Sequence, residues 1–139
     1  MMSQSLTVQP TTDHAPSWFG FDLIELTPAR CVLSFTVRAD MTNGFGVCHG
    51  GVLFTVADTA FAAASNAAGA PSMAVGCSIQ YLAPARVGDV LTAVCEEQHR
   101  GRRRGIYDVR ITGQAGEVVA LFRGESSTVR HAPGTGEIA

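Results

Sequence analysis

The sequence has no lysine, no strong excess of charge of either sign and no long hydrophobic run. All ten basic residues among its 139 are arginine, and the formal net charge is -2. This balance gives no general attraction to nucleic acid or to anionic lipid. No stretch approaches the roughly 20 apolar residues that span a bilayer. The first residues lack the basic start and apolar stretch of a signal peptide, so we expect a cytoplasmic protein with no membrane partner.

Closely spaced cysteine pairs are also missing. The four cysteines, Cys31, Cys48, Cys77 and Cys95, are scattered along the chain. Zinc sites need closely spaced ligands, and a disulfide framework is unusual in the cytoplasm. We therefore expect buried or half-buried thiols without chemistry and no metal site. The GxSxG and HExxH motifs of serine hydrolases and zinc proteases are absent too.

A single domain accounts for the length and composition. The 139 residues, of which 46% are hydrophobic, suffice for one core but leave no room for a separate cofactor domain. Residues 1–17 and 132–139 are polar or rich in turn-forming residues, which predicts flexible tails. The domain is expected to span residues 18–131.

The hydrophobic pattern predicts an α+β fold. Residues 31–38 alternate between apolar and polar side chains, as in a half-buried strand. Residues 50–69 are rich in alanine and apolar on nearly all sides, which predicts a buried helix that ends at Gly69. Four strands follow, at 73–81, 90–98, 105–112 and 118–130, and their short connections imply antiparallel pairing. The simplest joint solution is a sheet that curls around the helix.

One carboxylate interrupts the apolar helix. Between Gly44 and Gly88 the only formally charged residues are Asp58 and Arg86. Asp58 lies about two turns inside the helix, too far in to be an N-cap. A structural aspartate that is partly exposed or bonded to Thr55 or Thr59 is one interpretation. A catalytic carboxylate is the other, and a His-Gly-Gly turn eight residues earlier favours it.

The helix opens with that turn, His49-Gly50-Gly51. Amides at a helix N terminus point toward a nearby anion, and glycine lets a substrate approach the backbone closely. Both properties suit an oxyanion hole. His49 could either brace the loop or transfer a proton. Asn43 could orient a water molecule or a substrate carbonyl, or it could tolerate an unusual turn conformation.

Four segments of the chain resemble the hot-dog-fold thioesterases, and most of all their phenylacetic acid degradation (PaaI-type) branch. The segments are MTNGFGVCHGGVLFTVADTAFAAASN, IQYLAPARVGDVLTA, GIYDV and VALFRGES. The likeness covers the chain from Trp18 to about Arg130. It implies a curved antiparallel sheet wrapped around one long central helix. It also implies an acyl-CoA thioesterase that acts on (hydroxy)phenylacetyl-CoA or similar esters, with no cofactor and with assembly into homodimers or homotetramers.

The resemblance also assigns site residues. The Asp matching Asp58 is the family's nucleophile or general base, and the glycine matching Gly50 supplies the oxyanion-hole amide. Asn43 and His49 match positions that line the site, and Gly51 and Thr59 are further candidate substrate contacts. Some relatives carry a Ser or Thr helper at the start of the next strand. This chain has only Ala74 or Gly76 there, so that role is not assigned.

Thioester chemistry needs only a small set of groups. The leaving thiolate has a conjugate-acid pKa of roughly 8.5, so it needs little help from a general acid. One carboxylate and one oxyanion hole are then sufficient. However, the eight steps from Gly50 to Asp58 span about 12 Å of helix axis, whereas both groups must lie roughly 3 Å from the reacting centre. We therefore expect Gly50 of one subunit to face Asp58 of another.

Arginines are concentrated in the segment RGRRRG, residues 100–105. It is either a solvated hairpin turn or a clamp for the phosphates of coenzyme A, which arginine binds through two parallel hydrogen bonds. The candidate contacts are Arg102, Arg103, Arg104, Arg86 and Arg123. Two rival functions remain open, a hot-dog dehydratase or hydratase and a non-catalytic acyl-CoA-binding module.

Overall fold

One long helix and a six-stranded antiparallel sheet make up most of the molecule. The computed structural model describes residues 7–8, 11–67 and 69–129. A short hairpin and a short helix come first, and the sheet and the long helix follow. In chain order the elements are β1 (Thr7–Val8), β2 (Thr11–Thr12), α1 (Ala15–Phe19), β3 (Asp22–Thr27), β4 (Arg30–Thr36), a 3-10 turn (Ala39–Met41), α2 (Gly50–Asn66), β5 (Ser72–Tyr81), β6 (Val90–Arg100), β7 (Arg104–Thr112) and β8 (Val118–Thr128).

The sheet has the strand order β3-β4-β6-β7-β8-β5, and its strands β3 to β8 all contact α2. The predicted antiparallel pairing is confirmed for β6, β7 and β8. Strand β5 is antiparallel as well, but its partner is β8 rather than β6, the strand that follows it in the chain. The connection after β5 crosses the start of α2: Leu82 N–H donates to Val119 O, and Gly88 N–H donates to Val37 O. This short connection therefore carries the chain from the edge strand β5 to β6, three strands away in the sheet.

Helix α2 lies in the core, as its composition predicts. Val56, Ala57, Ala60, Phe61 and Ala64 are all buried. The alanines are small enough to let the helix axis approach the strands closely. The Phe61 ring lies directly on β8, where a Cβ at Gly124 would be 2.7 Å from a ring carbon. This close packing fixes α2, and with it Asp58, relative to the sheet.

Strand β5 is the exposed edge of the sheet. Its sequence pattern predicts an apolar face, but in the single chain Met73 is 44% exposed, Val75 41% and Tyr81 52%. Ile79 packs against the core. A bulge between Ala74 and Gly76 interrupts the alternation, so Met73, opposite Ser127, lies on the other face of the sheet from Ile79, opposite Phe122. Within the described residues no strand pairs with the free edge of β5, and ten residues of strand edge are thus left uncovered in one chain.

Several boundaries differ from the sequence predictions. Helix α2 ends at Asn66, three residues before Gly69. Strand β3 was not predicted, and α1 begins at Ala15, ahead of the predicted domain start at Trp18. The predicted tail at 132–139 lies outside the described residues. In the part of the chain that is described, no helix has both the length and the apolar character needed to cross a membrane.

The four cysteines are free thiols. Cys31, Cys48 and Cys95 are buried, as predicted. Cys77 is exposed, and the prediction that it is buried or half-buried is wrong because β5 is an edge strand rather than an interior one.

Candidate active site

A cleft of about 450 Å³ lies at the start of α2. Its walls come from the loop before α2, from the end of β5 and from the connection that follows β5. The lining residues are Asn43, Val47, Cys48, Gly50, Leu53, Tyr81, Leu82, Ala83, Pro84 and Ala85. The fold thus brings together two of the predicted site residues, Asn43 and Gly50. Asp58 does not line this cleft.

His49 is the N-cap of α2. Its Nδ1 accepts the N–H of Gly51 at 3.2 Å, and its own N–H donates to Met41 O at 2.7 Å. An Nδ1 that accepts a hydrogen bond cannot at the same time carry a proton. These contacts favour the bracing role of His49 over proton transfer through Nδ1.

The amide of Gly50 is the donor that the helix start leaves unused. The N–H of Gly51 is bound by His49, and the N–H groups of Val52 and Leu53 both reach His49 O. For Gly50 N–H no acceptor is recorded among the described residues. A bare amide at a helix N terminus attracts an oxygen that carries negative charge. Gly50 therefore has the property required of an oxyanion-hole residue.

Tyr81 holds Gly50 from across the cleft. Its hydroxyl donates to Gly50 O at 3.0 Å. A Cβ at residue 50 would lie 2.9 Å from Cζ of the ring, so only glycine fits there without displacing the tyrosine. The sequence indicates Tyr81 only as a strand residue. Its contact spans 31 positions, and no local pattern could have revealed it.

Asn43 braces the loop before α2. Its Oδ1 accepts the N–H of Phe45 at 3.0 Å and that of Val47 at 3.4 Å. No non-glycine residue in the described chain has a positive φ, so Asn43 does not serve an unusual turn conformation. Its Nδ2 is the polar group left for a ligand in the cleft.

Cys48 also lines the cleft, but its thiol is an unsuitable nucleophile. Burial raises the pKa of the Cys48 thiol to about 11. Only the thiolate attacks a carbonyl, and little of it exists at neutral pH with such a pKa. In the described residues no group of three or more His, Cys, Asp or Glu side chains could hold a metal ion.

Asp58 is half-buried on α2, and neither neighbouring threonine bonds it. The Thr55 hydroxyl donates to Gly51 O at 2.8 Å, and Thr59 is buried. Among the described residues no hydrogen bond or ion pair is recorded for the Asp58 carboxylate. Burial raises the pKa of the Asp58 carboxyl, and the negative charge of Asp13 raises it further. The Asp58 charge in turn helps to raise the pKa of the Cys77 thiol, which indicates that Cys77 is nearby.

Asp58 and the Gly50 amide are separated within one chain. Eight helical residues correspond to about 12 Å along the axis and to a turn of about 80° between the two directions. Asp58 therefore lies on a different side and a different level of the helix from Gly50, in agreement with its absence from the cleft lining. A single chain therefore cannot bring its own Gly50 N–H and its own Asp58 carboxylate to the same reacting centre of a substrate.

The five predicted arginines lie in three places. Arg104 pairs with Glu125 at 2.8 Å in the hairpin between β6 and β7. Arg123 pairs with Asp108 through two bonds of 2.6 and 2.9 Å. No ion pair is recorded for Arg86, Arg102 or Arg103 among the described residues. Arg86 follows the cleft residue Ala85 in the chain.

The hairpin arginines Arg102, Arg103 and Arg104 line a second cavity of about 250 Å³. Ser65 and Ser72 belong to its wall, so it lies near the C-terminal end of α2. In one chain this arginine group and the Gly50 cleft are therefore at opposite ends of the helix.

Known proteins share both the sequence and the fold. A family model described as the thioesterase superfamily matches residues 45–120. The chain is 44% identical over 117 residues to acyl-coenzyme A thioesterase PaaI of Escherichia coli, with 84% of each chain covered. The solved structure of the E. coli PaaI protein from the phenylacetic acid degradation operon matches with a TM-score of 0.84 and 42% identity, covering 86% of this chain and 87% of that one.

A Streptococcus pneumoniae protein solved with coenzyme A, described as a hypothetical thioesterase, matches with a TM-score of 0.76 and 28% identity. The match covers 78% of this chain and 85% of that one. These findings confirm the predicted fold and family. The chain belongs to the thioesterase superfamily and is a thioester hydrolase with the hot-dog fold, similar to PaaI.

Proposed function

We propose that the chain hydrolyses acyl-CoA thioesters to a free acid and coenzyme A. The observation that carries this proposal is the bare N–H of Gly50 at the start of α2, in a cleft lined mainly by apolar residues. Similarity to PaaI supports (hydroxy)phenylacetyl-CoA or a related aryl or medium-chain ester as the substrate. The cytoplasm is the proposed compartment.

The reaction uses two groups of the protein. The Gly50 N–H donates to the thioester oxygen as negative charge develops there. The Asp58 carboxylate either attacks the carbonyl carbon or takes a proton from the attacking water. A carbon–oxygen bond forms, the carbon–sulfur bond breaks, and the thiolate of coenzyme A leaves. When Asp58 is the nucleophile, water then hydrolyses the acyl-enzyme anhydride.

A second copy of the chain completes the site in this proposal. The free edge of β5 is suited to a paired strand, and the exposed apolar side chains along it, among them Val75 and Tyr81, are suited to burial against a second copy. Two copies that pair along β5 in an antiparallel manner would place their α2 helices side by side. That arrangement supports a homodimer in which Gly50 of one subunit meets Asp58 of the partner subunit. A homotetramer built from two dimers follows from the family resemblance.

The hairpin arginines at residues 102–104 lie at a suitable distance from Asp58 to bind the phosphates of coenzyme A. Seven residues separate Asp58 from Ser65, about 10 Å along α2, and the hairpin lies next to Ser65. The long pantetheine arm of coenzyme A spans a distance of this order. Arg102 and Arg103 are unpaired among the described residues and can bind phosphate, whereas Arg104 and Arg123 already bind carboxylates.

Replacement of Asp58 by asparagine tests the proposed function. The Asp58→Asn chain should lose about 100- to 10,000-fold in kcat, since the amide cannot act as nucleophile or base. A thiol-release assay over a panel of acyl-CoA esters measures this loss, with Asp22→Asn on exposed β3 as the matched control. Acyl-CoA binding without turnover by the unaltered chain would identify a binding module, and release of water instead of thiol would identify a dehydratase.

The pH dependence of the reaction follows from the surroundings of Asp58. Because the pKa of its carboxyl is raised, the active ionised form is lost as pH falls through that raised value. In a plot of kcat/KM against pH, the acidic limb should therefore lie at a higher pH than about 4, where an ordinary carboxyl group titrates. Asp13→Asn removes a negative charge and should shift the limb to lower pH. Asparagine can still accept the Ala15 N–H that Asp13 binds at 3.0 Å, so this hydrogen bond at the start of α1 is kept.

The pH profile of the Asp22→Asn chain is the control, and its limb should not move. Besides Asp13, Cys77 is a titratable group near Asp58, and Cys77→Ser checks that the limb does not belong to its thiol. An acidic limb that stays in place in Asp13→Asn, or moves to higher pH, would contradict the influence of Asp13 on the active carboxylate.

Neutralisation of the unpaired hairpin arginines tests the coenzyme A clamp. The Arg102→Gln/Arg103→Gln chain should show a KM for acyl-CoA raised about tenfold or more, with little change in kcat, since each lost arginine–phosphate contact weakens binding. Its KM for the matching acyl-pantetheine ester, which carries no phosphate, should be unchanged. Arg110→Gln on the exposed side of β7 is the matched control. An equal rise in KM for both esters would rule out phosphate recognition by this hairpin.

A further inference from the structure

The first turn of α2 contains two consecutive glycines, Gly50 and Gly51. Glycine is a poor helix former because its backbone has much conformational freedom to lose. An oxyanion donor, by contrast, acts best when its direction is fixed before the reaction. The start of α2 therefore needs contacts from outside its own backbone.

Two side chains supply these contacts. His49 Nδ1 binds the Gly51 N–H, and the Tyr81 hydroxyl binds the Gly50 carbonyl oxygen. The tyrosine ring also packs directly on Gly50, where the place of a Cβ is 2.9 Å from Cζ and 3.0 Å from the hydroxyl oxygen. Both contacts leave the Gly50 N–H itself without an acceptor among the described residues.

Tyr81 is held by the sheet rather than by the helix. It is the last residue of β5 and is paired in register with Ala120 of β8. Its side chain is 52% exposed and lines the cleft beside Gly50. Core packing therefore does not account for the position of the ring. Its hydroxyl binds Gly50, whose N–H has no acceptor among the described residues.

We propose that Tyr81 is a positioning residue of the oxyanion hole, whose hydroxyl and ring hold Gly50 so that its N–H is directed into the cleft. This inference rests on the proposed function of Gly50. It extends the site to the end of β5, the strand that also carries the proposed subunit interface. The direction of the Gly50 N–H then depends on the position of β5.

The test is a Tyr81→Phe chain, which keeps the ring and removes only the hydroxyl. We expect kcat to fall about tenfold, the effect of one hydrogen bond on the barrier, while KM and the melting temperature stay near those of the unaltered chain. Tyr107→Phe is the matched control, because the Tyr107 hydroxyl accepts a bond from Arg100 at 3.1 Å in a buried setting. That control should lower the melting temperature and leave kcat unchanged.

Other outcomes would overturn the inference. A Tyr81→Phe chain with the kcat of the unaltered enzyme would show that the hydroxyl does not position Gly50. A fall in kcat that accompanies dissociation of the oligomer, measured by sedimentation, would assign Tyr81 to assembly instead. A rise in KM alone would make it a substrate contact. If the unaltered chain releases no thiol from any acyl-CoA, the proposed function itself fails, which separates the two claims.

Discussion

Burial of α2 against the sheet is the constraint on which the rest of the structure depends. The helix is apolar on nearly all sides, and its alanines and Phe61 pack closely on the strands, down to the contact with Gly124. A half-buried carboxylate without a partner costs such a helix folding free energy, which is consistent with a functional reason for its presence. The same burial raises the pKa of Asp58, which makes the carboxylate a better base.

The geometry of a single helix separates the two groups that we propose to be catalytic. The bare amide belongs to Gly50, the first residue of α2, and the carboxylate of Asp58 lies eight residues later. The two groups of one chain therefore cannot reach the same substrate atom. The exposed edge of β5 offers a route by which a second chain could join them. Tyr81 lies at the end of β5 and binds Gly50, so we propose that the direction of the Gly50 N–H depends on the position of this edge strand.

The sequence offered candidates only for the parts of the proposed site that have local signals. A charge inside an apolar helix made Asp58 a candidate, and a glycine at the helix start made Gly50 one. The partner of β5 was missed because connection length does not specify on which side of the sheet the next strand lies. Tyr81 was missed because its contact joins residues 31 positions apart, and the exposure of Cys77 was missed because alternation does not reveal an edge strand.

The central claim, a site shared by two subunits, is tested by a heterodimer of two inactive chains. One chain carries Asp58→Asn. The other carries Gly50→Pro, which removes the N–H at the first helix position, after a His49 that is already extended with ψ of 135°. The proline Cβ also displaces Tyr81 of the same chain, so this variant disables the Gly50 half of the site as a whole and leaves Asp58 intact. With separate affinity tags the heterodimer can be purified and its thiol release measured. A shared site predicts about half of the wild-type kcat per dimer, because one of two sites is intact. A heterodimer as inactive as its parents would contradict the account.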